Sequence, residues 1–488
     1  MTVKIENKIK KWTTGTVGTR AAFNQAFQIV MNSPSDSPMS TSRRSFLKAT
    51  GTVAAASALA GIKIPAVHAA GSDGLRVALV GCGGRGTGAA DNAMAVTGGS
   101  INLVAMADVF ESKLKSSYSA LQSKRANQVD VPDERKFVGF DAYKKAFDCL
   151  KPGDVAVMAT PLAFRPIMFK YAIEKGLHVF MEKPLIADGP SAKAMFALNE
   201  EAKKKNLKCA VGLMCRHGRE RQELFKRIKD GAIGDIILER AYRMQGPIAT
   251  FRTKKKPADV PEVAFQIKSF HSFLWASGGA FSDFFIHNID EACWMKDGFP
   301  VQAQASGGRH FREDYVDQNF DHYSVEYTYD DGTKFYLEGR NMEGCEDRFA
   351  TYVHGTKGMA VVSSAGHSPA KSKIFKGQKI ASADIVWQAE QPESNPYQNE
   401  WDDLIDAIRN DKPYNEIDRG LQSSLVTSMG RMAAHTGQVV SYEDMLNCEH
   451  QFAPGIENMT MDGPAPVMSD DKGNYPWPEP GVKKKREY

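Results

Sequence analysis

Leu75-Arg-Val-Ala-Leu-Val80, followed without a gap by Gly81-Cys82-Gly83-Gly84-Arg85-Gly86, decides how this chain folds. The first six residues are a short apolar run of the kind that fills a buried parallel strand. The next six are a G-x-G-x-x-G, and Thr87 to Val96 continues as a helix-compatible stretch. Gly81 permits the tight turn, Gly83 lets the backbone approach a pyrophosphate, and Gly86 allows the helix to pack closely on the strand. The free N–H groups at the helix start then face the phosphates. A second apolar run, Ile101 to Ala107, ends in Asp108, about 20 residues past the last glycine, where an acid accepts the ribose hydroxyls. An acid there repels a 2′-phosphate. The motif therefore predicts NAD, with NADP as the second option because Lys113 lies nearby. The competing role for Asp108 is an ordinary helix N-cap.

The β/α alternation continues outward from this unit. Asp154 to Ala159 predicts a strand, then Thr160-Pro161, then a helix from Arg165 to Lys175 closed by Gly176. Leu177 to Met181 predicts the next strand. Glu182-Lys183-Pro184 follows it, and Asp188 and Pro190 open another helix. Lys208 to Leu213 is one more strand. Strands alternating with helices imply a doubly wound parallel sheet. After about residue 214 this rhythm stops. Tyr323–Tyr329 and Thr333–Glu338 alternate around Asp330-Asp331-Gly332, a hairpin signal. Asp235–Met244, Val301–Ser306, Phe349–Val353 and Met359–Val362 are further strand candidates, and Trp401–Arg409 has helical periodicity. The predicted organisation is a leader over 1–70, a dinucleotide-binding Rossmann domain over 71–213, a substrate and oligomerisation domain over 214–446, and a tail over 447–488, wrapping or disordered.

Composition is that of a globular chain long enough for two or three domains. The chain has 488 residues, 42% of them hydrophobic, with 62 basic and 58 acidic side chains. So near a balance gives no footing for nucleic acid. The seven cysteines lack C-x-x-C spacing, so neither a disulfide framework nor a metal site is expected. Ser42-Arg43-Arg44-Ser45-Phe46-Leu47-Lys48 is similar to a twin-arginine export motif. A small apolar run, Ala49 to Ile62, and a cleavage-like Val67-His68-Ala69 follow it. This order predicts a periplasmic or otherwise exported protein that meets the twin-arginine machinery, which carries folded cargo. Met39 lies just before the motif and competes with Met1 as the start.

The glycine loop, Thr160-Pro161 and Glu182-Lys183-Pro184 resemble the glucose–fructose oxidoreductase/inositol dehydrogenase/MocA (Gfo/Idh/MocA) family. Gly278-Gly279-Ala-Phe-Ser-Asp283-Phe-Phe-Ile-His287-Asn-Ile-Asp290 is similar to the second signature of that family. The resemblance spans about residues 75–450 and implies an N-terminal Rossmann domain plus a C-terminal α/β domain with a large, open, mostly antiparallel sheet. It also implies that Gly84, Arg85, Thr160, Pro161, Glu182 and Lys183 join the other glycines around the cofactor. Exported relatives are often homo-oligomers.

The same resemblance implies the chemistry. Oxidising a secondary alcohol needs a base at the hydroxyl while hydride leaves. Lys183 matches the lysine of the family and His287 its histidine. Asp283, four residues earlier, faces the same side if the segment is helical, where it either orients the imidazole or binds a substrate hydroxyl. Asp290 is either functional or structural. At the position where the family commonly has histidine this chain has Arg165. That marks an acidic or differently shaped ligand, or else a phosphate or surface contact. Arg216-His217, at the domain junction, either binds substrate or forms a simple ion pair. The leading expectation is an NAD(P)-dependent oxidoreductase acting on a sugar, polyol or derivative, with a retained cofactor. The alternatives are glycoside cleavage by transient oxidation and elimination, and a non-catalytic dinucleotide-binding protein.

Overall fold

The computed structural model describes residues 74–310 and 314–488. The Arg43-Arg44 motif, the apolar run, the cleavage-like site and Met39 lie outside the described residues. Among the described residues no helix is long and apolar enough to cross a membrane.

The first sheet comprises β1 (Leu75–Val80), β2 (Ile101–Asp108), β3 (Lys136–Val138), β4 (Val155–Met158), β5 (His178–Met181) and β6 (Cys209–Val211). The strands lie in the order β3-β2-β1-β4-β5-β6, all parallel. β1 sits at the centre, and all but one of its residues are buried, as a strand covered on both faces requires. The order reverses beside β1, so the crevice for a ligand opens at the carboxyl ends of β1 and β4. The helix after the glycine turn starts at Gly84, earlier than expected, because Gly84, Arg85 and Gly86 form its first turn behind an extended Gly83 at the N-cap. No side chain caps it. By contrast, Asp188 caps the helix Gly189–Lys204 by accepting the Ser191 N–H at 2.8 Å.

The second sheet comprises β7 (Ile236–Gln245), β8 (Gln302–Gly308), β9 (His322–Thr328), β10 (Lys334–Asn341), β11 (Arg348–Gly355), β12 (Gly358–Ser364), β13 (Lys373–Lys376), β14 (Ile385–Gln388) and β15 (Val440–Ser441). Its order is β14-β13-β12-β11-β7-β10-β9-β8-β15. Every pairing is antiparallel except that of β10 with β7. The predicted hairpin forms: Lys334 pairs with Thr328, and both strands alternate buried with less buried residues. The buried set, including Tyr323, Val325, Phe335 and Leu337, joins one large core with residues of the helices Ile286–Lys296 and Ile417–Thr436.

One assignment changes. The helix Pro396–Arg409, assigned from sequence to the second domain, packs on the first sheet instead. Trp401, Leu404, Ile405 and Ile408 join Val77, Leu79 and Phe180 in one core, with Trp401 stacked on Phe180 at 4.5 Å between ring centroids. The tail wraps the body. Phe452, Val467 and Tyr475 are buried, and so is Glu487, whose carboxylate accepts from Arg431 Nε at 2.9 Å and Nη2 at 2.8 Å and pairs with His435 at 2.6 Å.

Candidate active site

A cavity of about 460 Å³ opens at the carboxyl ends of β1, β2 and β4, lined by Gly81, Gly83, Gly84, Asp108, Thr160 and Pro161 among others. Gly81 has φ +93°, and a Cβ there would stand 2.6 Å from the Ala159 backbone, so only glycine fits this turn. A Cβ on Gly86 would stand 1.9 Å from the Gly81 carbonyl oxygen, which is the close helix–strand packing expected of the third glycine. At Gly83 and Gly84 a Cβ would meet no atom within 4 Å. The backbone there is open to a ligand, and the uncapped helix start offers its N–H groups. These residues fit a dinucleotide.

Asp108 ends β2 and faces this cavity. Its carboxylate accepts the Cys82 N–H at 2.7 Å and the Phe110 N–H at 2.8 Å. The helix that follows begins at Glu111 with Phe110 as its N-cap, so Asp108 does not fill the N-cap position. Burial raises its pKa, against the pull of those backbone donors. Each oxygen keeps a second lone pair, which suits a ribose diol.

A second cavity of about 410 Å³ shares Gly83, Gly84, Thr160 and Pro161 with the first and extends to Arg85, Arg165, Glu182, Lys183, Asp283 and His287. Lys183 Nζ donates to the Asp283 carbonyl at 2.6 Å and to its carboxylate at 3.1 Å. The other carboxylate oxygen of Asp283 faces His271 Nε2 at 3.2 Å. Burial alone would raise the Asp283 pKa, but Lys183 and His271 hold it well below the usual carboxylate range. His287 is buried. Burial first, then His367 and the cationic groups around it, push its imidazole well below the ordinary value, so it stays neutral. Glu182 accepts from Arg85 Nε at 3.0 Å, and the Arg85 guanidinium lies 4.5 Å from the Tyr397 ring centroid.

Lys183, Asp283 and His287 thus share one cavity, but three expectations need correction. Asp283 does not orient His287. The chain takes a π turn over Phe281–Phe285, and the carboxylate goes to Lys183 and His271, while His287 Nδ1 has no hydrogen-bond partner. Arg165 is no surface contact: it is buried and donates to the Pro184 carbonyl at 3.0 Å and the Thr160 carbonyl at 3.1 Å, pinning two site loops together. Arg216 and His217 lie outside both cavities. Arg216 forks onto Asp290, with Nε at 2.9 Å and Nη2 at 2.8 Å. His217 sits between Asp403 at 2.7 Å and Glu416 at 3.0 Å.

Sequence reasoning missed His271, Arg243 and His367. Each stands alone on its segment with no motif around it. Arg243 Nη1 lies 2.7 Å from His367 Nε2, and the His367 ring lies 4.3 Å from that of His287. Cys215, His287 and His367 bring one ligand atom each within 4.8 Å of one another, a candidate cation site. Arginine only donates, so His367 accepts at Nε2 and carries its proton on Nδ1, leaving neither nitrogen a free lone pair. Burial also pushes the Cys215 thiol far up. A metal ion would have to displace Arg243 before binding there.

Comparison with known proteins adds independent lines. Residues 75–213 match the oxidoreductase family described as an NAD-binding Rossmann fold, and residues 222–361 match the GFO/IDH/MocA C-terminal domain. The chain is 25% identical over 265 residues to scyllo-inositol 2-dehydrogenase (NAD(+)) of Bacillus subtilis (strain 168), a match covering 54% of this chain and 69% of that protein. Among solved structures, the fold is similar to aldose-aldose oxidoreductase from Caulobacter crescentus complexed with glycerol, at a TM-score of 0.58 and 18% identity, over 76% of this chain and 100% of that one. It is also similar to scyllo-inositol dehydrogenase from Lactobacillus casei with bound NAD(H) and scyllo-inositol, at a TM-score of 0.55 and 21% identity, over 76% and 100% of the two chains.

Proposed function

Because the chain belongs to the Gfo/Idh/MocA family of oxidoreductases, with an NAD-binding Rossmann domain, we propose that it oxidises a secondary alcohol of a sugar, polyol or sugar derivative. The observation that carries this reading is the pairing of Lys183 with Asp283 in the cavity that also holds His287 and adjoins the cofactor cleft. A dinucleotide held by the glycine turn and Asp108 would supply the hydride acceptor, its nicotinamide ring. Lys183 Nζ, anchored by Asp283, hydrogen-bonds the reacting oxygen. His287, neutral in its buried position, accepts the hydroxyl proton. Asp283 is a positioning residue for Lys183. Asp108 favours NAD over NADP through the ribose hydroxyls.

Ser42–Lys48 adds the proposal that the protein is exported already folded around a retained cofactor. The test mixes the enzyme with NAD⁺ and a panel of sugars and polyols and follows reduction of the cofactor by absorbance. Turnover is expected in the native chain and lost in Lys183→Met, with cofactor affinity retained. Undiminished turnover in Lys183→Met would overturn the assignment.

A further inference from the structure

The second cavity holds more positive charge than its own acids balance. Arg85, Arg165, Lys183 and Arg243 line it, against Glu182 and Asp283. Glu182 is taken by Arg85, and Asp283 by Lys183 and His271. The histidines add nothing to offset the excess. Among the described residues, no carboxylate pairs with Arg165 or Arg243. Neither arginine lines the cofactor cleft at the glycine turn.

The two arginines differ in what they have left to give. Arg165 directs both terminal nitrogens at backbone carbonyls and forms the wall. Arg243 stands on β7, half-buried, with Nη1 held by His367 and its guanidinium 4.7 Å from the Phe349 ring centroid. Its Nε is buried and has no hydrogen-bond partner. A buried guanidinium with an unused donor is costly unless something anionic completes it. The planar fork of arginine matches a carboxylate in two parallel hydrogen bonds. Burial lowers the Arg243 pKa to about 10, against the weaker opposing pull of Cys215, Asp283 and other nearby groups.

We propose that the substrate is a sugar acid, an aldonic or uronic type, whose carboxylate is received by Arg243 while Lys183 and His287 take the reacting alcohol. This rests on the dehydrogenase reading above and narrows its substrate class. The acidic ligand suggested by Arg165 in the sequence is thereby moved to a different arginine.

The experiment compares NAD⁺ reduction on hexuronates and hexonates with that on the matching hexoses and hexitols, in the native chain and in Arg243→Gln. Retained cofactor binding and an unchanged melting profile control for folding. The native chain is expected to favour the acids in kcat/KM by at least ~10-fold, carried by KM. Arg243→Gln is expected to cut that acid-to-neutral ratio by about 10²-fold, the size seen when one partner of a buried charge pair is removed. Reduction with the neutral members alone overturns this inference and leaves the dehydrogenase reading standing. Reduction with no member overturns both. A preference for acids that survives Arg243→Gln overturns the role of Arg243.

Discussion

The cofactor cleft and the cavity beside it are built by different means. The cleft is made mostly of backbone: a turn at Gly81, an uncapped helix start at Gly84, and an Asp108 carboxylate held by two N–H groups. The neighbouring cavity is made of side chains from distant segments, with Lys183 reaching Asp283 and Arg243 reaching His367. Backbone geometry tolerates few residue types, so it leaves a compact motif in the sequence. Side-chain constellations can be assembled from almost anywhere, so they leave scattered letters.

This contrast can be broken or sharpened by mutation. The largest effect is expected at the chemistry. Lys183→Met and His287→Asn should each lower kcat by about 10²–10⁴-fold while leaving the cofactor Kd unchanged, measured by turnover and by fluorescence titration. Loss of cofactor binding in either variant would mean that the two cavities are not separable. Next is the distant support of the side-chain cavity. Glu487→Gln leaves Arg431 buried and unpaired and should cost about 3–5 kcal/mol in denaturant unfolding.

The sign with pH follows from the same pair. Burial would raise the Glu487 pKa, but Arg431 and His435 hold it at about 2. Its contribution is therefore present above the ordinary glutamate range and lost as pH falls toward 2.

The backbone-built cleft should answer differently. In Gly86→Ala the added Cβ meets the Gly81 carbonyl, so the helix must shift. A loss of about 1–3 kcal/mol is expected, together with weaker cofactor binding but a near-normal kcat at saturation. The smallest effect is expected at His217, outside both cavities. Burial would lower the His217 pKa, but Glu416 and Asp403 raise it to about 9. Its stabilisation is fully present below about 6.5 and disappears as pH rises through about 9. The melting temperature of His217→Gln should fall below that of the native chain at pH ~6 and converge with it above pH ~9.

Legibility in the sequence followed the same division. The run from Leu75 to Gly86 was legible as strand and glycine turn, because an apolar strand, three spaced glycines and a following helix fit one unit; only the helix start, at Gly84 rather than Thr87, was not. The hairpin around Gly332 was equally open, since alternation by two is a strand property. Trp401, Leu404, Ile405 and Ile408 announced a helix and its buried face. Periodicity does not say which sheet that face will cover, and it covers the first. Lys183 and His287 were found by their signatures. Arg243, on a strand, and His367, in a loop, carry no periodic or motif signal, and their meaning arises only when β7 is brought beside the helix bearing His287. The spacing of Asp283 and His287 suggested a pair. It was overridden by a π turn and by the stronger claim of Lys183 on the same carboxylate.

Arg431 ties Glu487 to more than the tail. It also donates to the Ser282 hydroxyl at 2.6 Å, to the Gly278 carbonyl at 3.3 Å and to the Ala187 carbonyl at 2.6 Å. The loop that presents Asp283 is therefore clamped by a residue that leaves the ribosome long after the glycine turn does. Chains fold largely from the N-terminal side as they are made. The first sheet, however, needs Trp401 for its core, so both regions wait for segments made late: the cofactor cleft for residues 396–409, and the clamp on the Asp283 segment for Arg431 and Glu487.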